Sequence, residues 1–316
     1  MTPILLEGLE GTNPLAFLAA LGVLVALDEA RGDGPAPRLS WQDAGGWRPV
    51  IHSVHESIET LVAALDADRE SCKTEPALLF TYAKVKESKG KPTKVEHVEE
   101  VKPPPADLRK QLLEWLADTT ASDRRTLDWF TSFVSEGAFD NNGAAKPSPL
   151  HFVAGQQKFL TSARKLVAGV TPAALEAALI GPWAYDSSLP VLRWDNTETR
   201  DYALRASDPA KEKLGNPGAD WLALRGLSML TTTPHRRQQG APGAYGSWKG
   251  GGWRWALWEP AVTRRVAQSV LGWARLGRLT VGQRRRLGVA MVLQTRILRS
   301  DQGGYGSVLP AKILAS

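Results

Sequence analysis

The sequence predicts an α+β protein in which two similar α-β-β-α units lie around a middle segment of helices and short strands. Two observations support this prediction. Similar segments recur in the same order roughly 205 residues apart, and each copy joins an apolar helical pattern to a tryptophan-rich pattern that turns through glycines. We divide the chain into residues 1–150, an acidic α+β unit with a helical insertion, and residues 151–316, a basic α+β unit that ends in helices.

The first pair of similar segments begins with Asn-Pro. Residues 13–22 read NPLAFLAALG, and residues 216–226 read NPGADWLALRG with one residue inserted. An Asn side chain accepts a hydrogen bond from a free N–H group in the first turn of a helix, and Pro fits the first helical position because it lacks an N–H group. We therefore predict helices that begin after Asn13 and Asn216.

The second pair of similar segments is rich in tryptophan and glycine. Residues 40–48 read SWQDAGGWR, and residues 247–254 read SWKGGGWR. Glycines between strand-forming residues favour a hairpin turn, and a helical pattern follows each hairpin. The apolar residues at helical spacing are expected to face the core, and they are Ile58, Leu61, Val62 and Leu65 in the first unit and Val262, Val266, Val270, Trp273 and Ala274 in the second.

The tryptophans of the second unit allow two interpretations. In one, the aromatic and basic residues of the stretch 245–258 stack on bases and clamp phosphates. These residues are Tyr245, Trp248, Lys249, Trp253, Arg254, Trp255 and Trp258. Alternatively, the rings form the buried face of a strand. Because Trp41 and Trp47 hold equivalent positions in the acidic first unit, we favour packing in the core.

Local patterns also predict elements in the middle and at the end of the chain. They indicate a loop or edge hairpin over residues 84–105, helices over 108–116 and 122–134, a helix ending near 167, another over 172–180, and strands over 191–194 and 202–205. A last helix is predicted to begin at Thr280 in a capping box with Gln283, and to carry Arg285, Arg296 and Arg299 on one face.

Positive charge is concentrated at the C-terminal end of the chain. Residues 1–150 carry 16 Lys and Arg against 23 Asp and Glu, whereas residues 221–316 carry 15 against 2, and 13 of those 15 are arginine. A surface that faces only water normally mixes both signs. Guanidinium groups bind phosphate through two parallel hydrogen bonds and stack on bases, so this composition favours nucleic-acid binding.

Two clusters of donors carry this prediction. The sequence HRRQQG at residues 235–240 is a polar loop without acids, and Arg284 to Arg286 lie near a predicted helix N-terminus, where the helix dipole favours anions. The residues predicted to bind nucleic acid are Arg236, Arg237, Gln238, Lys249, Arg254, Arg264, Arg265, Arg284, Arg285, Arg286, Arg296 and Arg299.

Catalytic motifs are sparse. The sequence has no nucleotide-binding glycine loop and no nucleophile elbow. His52 and His55 stand three apart at a probable helix start but have no third ligand. Asp195, Glu198 and Asp201 could hold the metal ions of a nuclease, although arginines interleave with them and favour a salt-bridged turn. We predict a protein that is not an enzyme, with no metal and no cofactor.

The composition also suggests a cytoplasmic protein. The single cysteine, Cys72, rules out an internal disulfide framework and fits a reducing compartment. The longest apolar run, residues 15–27, is too short to span a bilayer and has no basic flank typical of a signal peptide. We interpret it as a buried helix and expect no contact with a membrane.

Four short motifs carry a resemblance to a known family. They are the Asn-Pro helix at 13–22, AGQQ at 154–157, RDYALR at 200–205, and NPGADWLA at 216–223. Together they resemble CRISPR-associated proteins of type I-G systems, formerly called type I-U, in the large-subunit-like or accessory group. The chain is shorter than a typical large subunit of such a system.

The resemblance implies a non-catalytic subunit of an RNA-guided surveillance complex in antiviral defence. Its partners would be the other effector subunits, the guide RNA or target DNA, and a separate helicase-nuclease that performs cleavage. Two alternatives remain open. One is a metal-dependent nuclease using the three carboxylates near residue 195, and the other is an adaptor whose basic face docks an acidic partner.

Overall fold

A computed structural model describes residues 1–88, 91–120, 123–152, 158–186, 188–196, 214–235, 238–299 and 306–314. Helices and antiparallel strands both contribute to it, which confirms the predicted α+β class. Both predicted units contribute side chains to one hydrophobic core.

The helices are α1 Pro14–Ala30, α2 Ile58–Ser71, α3 Pro76–Leu79, α4 Pro105–Asp118, α5 Arg125–Phe133, α6 Phe159–Gly169, α7 Pro172–Ile180, α8 Pro217–Leu227, α9 Arg264–Leu271 and α10 Val281–Arg286. The strands are β1 Thr2–Leu5, β2 Arg38–Asp43, β3 Trp47–Ser53, β4 Tyr82–Ser88, β5 Lys91–Val98, β6 Thr233–His235, β7 Gln238–Gly240, β8 Ala244–Tyr245, β9 Gly252–Trp258, β10 Val289–Arg299, β11 Gly306–Val308 and β12 Lys312–Ile313.

The strands form two sheets and two separate hairpins among the described residues. The first sheet has the order β1-β3-β2, and the second has the order β11-β10-β9-β8 with β12 also pairing with β10. Backbone hydrogen bonds join the two sheets where Leu39 and Val262 exchange N–H and C=O groups at 2.9 and 3.0 Å. Trp258 strengthens this junction, because its indole N–H donates to the Leu39 carbonyl at 2.8 Å.

Helix α1 lies at the centre of the molecule, and residues 14–27 of it are buried on every side. Its N-cap is Asn13, whose side-chain oxygen accepts from the Leu15 N–H at 2.9 Å. Helix α8 begins in the same way, because the side-chain oxygen of Asn216 accepts from the Ala219 N–H at 2.9 Å. Both helix starts predicted from Asn-Pro are therefore confirmed.

Glycines bring α1 and α8 into direct backbone contact. A Cβ atom placed on Gly22 would lie 1.8 Å from the carbonyl oxygen of Leu222, and one placed on Gly226 would lie 2.1 Å from the carbonyl oxygen of Leu18. The two contacts are reciprocal, because a glycine of each helix packs against the backbone carbonyl of a leucine on the other helix. The repetition of an α-β-β-α unit stays a prediction, but these glycines hold equivalent places in the two similar segments.

Aromatic rings of both sheets pack around Phe17 on α1. Its ring stacks on Trp41 at a centroid distance of 5.4 Å and contacts Trp253, Trp255 and Trp258 at 5.7, 5.8 and 6.2 Å. All four indoles are almost completely buried. The interpretation of core packing is therefore confirmed for Trp253, Trp255 and Trp258, and these rings are closed to bases.

The end of the chain differs from the prediction. Thr280 and Gln283 form the predicted capping box, but the helix ends at Arg286 and residues 289–299 form strand β10. Gly288 causes the break, because it takes the left-handed conformation with φ of +66° that commonly ends a helix. The prediction of a helix through residue 299, and of a C-terminal unit that ends in helices, is therefore wrong.

The buried face of α9 also differs from the prediction. Arg264, Ala267 and Leu271 face the interior, whereas Val266 is 47% exposed and Trp273, just after the helix, is 39% exposed. In the first unit the prediction is confirmed, since Leu61, Val62 and Leu65 on α2 are buried and Ile58 packs against the core.

The middle segment largely follows the predicted elements. The charged stretch forms the β4–β5 hairpin, and α4, α5, α6 and α7 occupy the predicted helical regions. Residues 191–194 form no strand, Trp248 lies in a turn, and His52 lies on β3 rather than at a helix start. The predicted strand at 202–205 lies outside the described residues. In the described ranges, no helix has both the length and the apolar character needed to cross a bilayer.

Substitution Gly22→Ala should destabilise the protein, because the added methyl group would overlap the Leu222 carbonyl and force α1 away from α8. Overpacking of this kind costs about 1–3 kcal/mol or more, so the free energy of unfolding in urea should fall by at least that amount. Gly282→Ala on α10 is the control, since an added Cβ there meets nothing within 4 Å. An unchanged unfolding midpoint for Gly22→Ala would contradict the close helix contact.

Candidate nucleic-acid interface

Strand β10 separates buried from solvent-facing side chains. Leu293, Thr295 and Ile297 are buried, whereas Arg296 is exposed and Gln294 is half-buried between them. Successive side chains of a strand point to opposite faces, so Gln294 and Arg296 share the outer face of the second sheet. A strand, rather than the predicted helix, therefore presents Arg296 to solvent.

The strand register adds further cations to this outer face. Gln294 lies opposite Arg254 on β9 and, on its other side, opposite Lys312 on β12. Arg296 lies opposite Gly252 on β9, and Gly252 lies opposite Tyr245 on β8. Opposite residues in antiparallel strands point to the same side, with neighbouring strands about 4.8 Å apart. We call this surface the basic sheet face, and its side chains are Tyr245, Arg254, Gln294, Arg296 and Lys312.

Contacts within the basic sheet face fix the position of Arg254. Its Nε donates to Gln294 Oε1 at 2.6 Å, and its guanidinium carbon lies 4.1 Å from the centre of the Tyr245 ring. Gly277, in the turn that follows α9, packs against the same guanidinium group, since a Cβ placed there would lie 3.0 Å from it. Arg254 is thus held in one orientation, with Tyr245 as a stacking platform.

The charges on this face also act on Tyr245. Burial raises the pKa of the Tyr245 hydroxyl, while the positive charges of Arg254 and Arg296 lower it. The hydroxyl donates to the Thr295 carbonyl at 3.0 Å, which holds the ring at the edge of the sheet. None of the residues in the five strands of this sheet is acidic. The face therefore combines three cations, an aromatic ring and a side-chain amide.

Other predicted cations are exposed but do not lie on the strands of this face. Lys249 is in the turn before β9, Arg265 is on α9, and Arg285 and Arg286 are on α10. The three arginines at 284–286 lie in the last turn of α10. The helix begins after Thr280 as predicted, but with six residues it is so short that these arginines also lie at its C-terminal end, where the dipole favours cations rather than a bound anion.

Two of the predicted binding residues are enclosed by the fold. The Arg299 guanidinium lies 3.5 Å from the centre of the Trp248 ring and donates to the Pro149 carbonyl at 2.5 Å. Burial lowers the pKa of Arg299 to about 10. Arg284 is buried as well. Neither side chain is free to meet a large ligand.

The predicted polar loop is described only in part. Arg236 and Arg237 lie outside the described residues, and Gln238 is half-buried where it pairs with His235 in the β6–β7 hairpin. The neighbouring Gln239 is buried and donates to the Ser135 carbonyl at 2.5 Å. This part of the loop is therefore anchored to the rest of the protein.

Arg264 belongs to a buried cluster of paired charges. The members of this charge cluster are Glu29, Asp68, Asp128, Arg125, Arg225 and Arg264. Arg264 donates to Glu29 and to Asp128 at 3.0 Å each, and its side chain is only 10% exposed. Because a buried charge is costly unless it is paired, these bonds keep Arg264 away from the exposed basic surface.

Arg225 on α8 is the centre of the charge cluster. It is completely buried, donates to Asp68 at 3.0 Å, and also donates to Glu29 at the end of α1. Burial alone lowers the pKa of Arg225, but the carboxylates of Asp68 and Glu29 outweigh burial and raise it. The cluster forms one wall of a cleft of about 1880 Å³, and its carboxylates are already paired there.

Two of the candidates for metal binding or catalysis, Asp195 and His52, have structural hydrogen-bond partners. Asp195 is buried and accepts hydrogen bonds from Asn13 Nδ2 and the Tyr185 hydroxyl at 2.9 Å each, so it supports the cap of α1. Glu198 and Asp201 lie outside the described residues. His52 contacts the Ser40 hydroxyl at 3.0 Å. Within the part of the chain that the structure describes, no three His, Cys, Asp or Glu side chains are placed to hold a metal ion.

Sequence reasoning included Tyr245 among the rings that could stack on bases, but it missed Gln294 and Lys312 as members of the site. Their positions depend on the pairing of β10 with β9 and β12, whereas the sequence pattern predicts a helix for residues 289–299. Gly288 and the β-branched residues that follow it are the signal that could have corrected this prediction. Comparison of the chain with protein-family models, with curated proteins and with solved structures finds no match.

Substitution Arg225→Met should cost about 3 kcal/mol or more of unfolding free energy, because it leaves Asp68 buried without its main partner. Urea unfolding measures this loss. Arg31→Met is the matched control, since the Arg31–Asp28 pair at 3.1 Å is partly exposed and should contribute less than about 1 kcal/mol. Equal losses in the two variants would show that the charge cluster does not stabilise the fold.

Cys72 should resist alkylation and disulfide exchange in the native protein. Burial, together with the nearby Asp68 carboxylate, raises the pKa of this thiol to about 12. Because the thiolate is the reactive form, a dithionitrobenzoate assay at neutral pH should detect no free thiol until denaturant is added. Rapid release of thionitrobenzoate from the folded protein would contradict the buried position.

Proposed function

We propose that the protein binds nucleic acid without catalysing a reaction, and that the basic sheet face contacts the sugar-phosphate backbone. The observation that carries the proposal is the shared outer face of Arg254, Arg296 and Lys312 on three neighbouring strands without an acidic residue. Cations that track a backbone supply most of the affinity of nucleic-acid binding that does not depend on sequence.

Tyr245 and Gln294 suit the same role. A half-buried ring at the edge of the sheet can stack on an unpaired base, and the side-chain amide beside Arg254 can donate or accept at a base edge or a phosphate. Single-stranded nucleic acid exposes both its bases and its phosphates. We therefore favour a single strand over a duplex as the ligand.

The resemblance to CRISPR-associated proteins of type I-G systems gives this surface a biological setting. In an RNA-guided surveillance complex, a non-catalytic subunit with such a face would hold the guide RNA or the displaced DNA strand, while a separate helicase-nuclease cleaves. The other effector subunits would be its partners. We propose that the protein belongs to such a complex because of the four short motifs at residues 13–22, 154–157, 200–205 and 216–223.

The test is binding of 20-nucleotide single strands and of duplex DNA by fluorescence anisotropy over a salt series. Wild-type protein should bind single strands best, with affinity that falls steeply as salt rises. The double variant Arg296→Ala/Lys312→Ala should weaken binding roughly tenfold and lower the log–log salt slope by about 1.5, since two phosphate contacts are lost.

A matched control removes the same charge elsewhere. Arg109 and Lys110 on α4 have side chains that are 70% and 76% exposed, so Arg109→Ala/Lys110→Ala should leave affinity and slope nearly unchanged. If both double variants lose affinity equally, net charge rather than the basic sheet face explains binding. If wild-type protein shows no salt-dependent binding at all, the proposal is wrong.

A further inference from the structure

An apolar ridge on α9 is left uncovered by the fold. Val266 and Val270 lie four residues apart, so they share one side of the helix. Trp273 follows the end of the helix, and its backbone N–H donates to the Val270 carbonyl at 3.3 Å. Val266 is 47% exposed, Trp273 is 39% exposed, and Val270 is partly buried. We call these three residues the α9 ridge.

The opposite side of α9 shows that this exposure is a consequence of the helix orientation. Arg264 is tied to Glu29 and Asp128, and Ala267 and Leu271 are buried in the core. With Arg264, Ala267 and Leu271 held inward, Val266 on the opposite side of the helix faces outward. A helix with apolar residues on both sides normally has a second partner for the outer side.

The residues around the α9 ridge indicate what would cover it. Arg265, Arg275 and Arg278 are exposed beside the ridge, and residues 260–300 contain nine arginines and no Asp or Glu. None of these three arginines has an ion pair with a carboxylate in the described part of the chain. An occupant that buries the ridge must therefore bring negative charge to its border.

Another exposed apolar face provides a contrast. Leu113 and Leu116 on α4 are 56% and 58% exposed, but the charged residues of that helix include Asp107, Arg109, Lys110 and Glu114, which have both signs. Charge therefore selects no occupant for α4, whereas every charged residue from 260 to 300, the stretch that contains the α9 ridge, is positive. The two valines of the α9 ridge favour a protein over nucleic acid, because Val266 and Val270, unlike Trp273, offer no stacking surface to bases.

We propose that the α9 ridge is a docking surface for an acidic amphipathic segment of a partner protein. The segment would place apolar side chains on Val266, Val270 and Trp273, and Asp or Glu side chains next to Arg265 and Arg275. Apolar anchors at helical spacing with a charged border are the usual features of a helix bound along a groove or ridge. The α9 ridge shares no residue with the basic sheet face, so the proposal does not depend on nucleic-acid binding.

A display selection tests the proposal and needs no named partner protein. A random library of 16-residue peptides is selected on immobilised full-length protein, with counter-selection against the bare support. We expect enriched peptides to combine Asp or Glu with apolar residues at helical spacing. Their affinity should fall at least tenfold for the double variant and stay unchanged for Leu116→Ser, which alters an exposed leucine elsewhere.

The charge variant Arg265→Glu/Arg275→Glu provides a second test that leaves the ridge itself intact. It should also lose the selected peptides, and thermal unfolding identifies any variant that fails to fold. The proposal is overturned if no peptide is enriched, if enriched peptides lack acidic residues, or if both double variants keep them. It is also overturned if the ridge instead drives self-association of the chain, or if Val266→Ser/Trp273→Ser weakens oligonucleotide binding and leaves peptide binding unchanged.

Discussion

The contact between α1 and α8 is the constraint on which the rest of the fold depends. Gly22 and Gly226 let each helix backbone reach the carbonyl oxygen of a leucine on the other, so the two helices pack closer than side chains would allow. With α1 enclosed on every side, both sheets can wrap around it. The tryptophans on Phe17 and the charge cluster at the ends of the helices follow from this arrangement.

The charge cluster determines how the basic half of the chain is used. Arg225 and Arg264 reach across to Glu29, Asp68 and Asp128 of the acidic half, so part of the positive charge counted in the sequence is neutralised inside the protein. These bonds join α1, α2, α5, α8 and α9. Since partners in a buried ionic network are costly to remove one at a time, the network also holds Arg264 on the inner side of α9.

Local rules predicted the fold where the signal was local. The Asn caps of α1 and α8 and the Thr280 capping box depend on a few neighbouring residues, and all three are present. The turn at Gly288 shows the limit, because the apolar residues at 287, 291 and 298 also fit a helical period. Only the hydrogen bonds of β10 with β9, which lies about 40 positions earlier in the chain, decide between a helix and a strand for residues 289–299.

The candidate site was predictable in composition and not in geometry. A high count of arginines indicated phosphate binding, but the count could not separate Arg296, which faces solvent, from Arg264, which is paired with carboxylates. That separation depends on tertiary contacts between residues more than 100 positions apart. What distinguishes the exposed Arg296 from the enclosed Arg264 is the pairing of Arg264 with carboxylates, rather than its place in a basic run.

The secondary structure around the exposed cations explains why the basic half of the chain offers two different surfaces. On the sheet, pleating places Arg254, Arg296 and Lys312 around an amide and an aromatic ring, which suits the alternating phosphates and bases of a single strand. On α9, helical spacing places aliphatic side chains between the cations, which suits the apolar face of a polypeptide. Secondary structure thus turns a uniform excess of arginine into two chemically distinct surfaces on one chain.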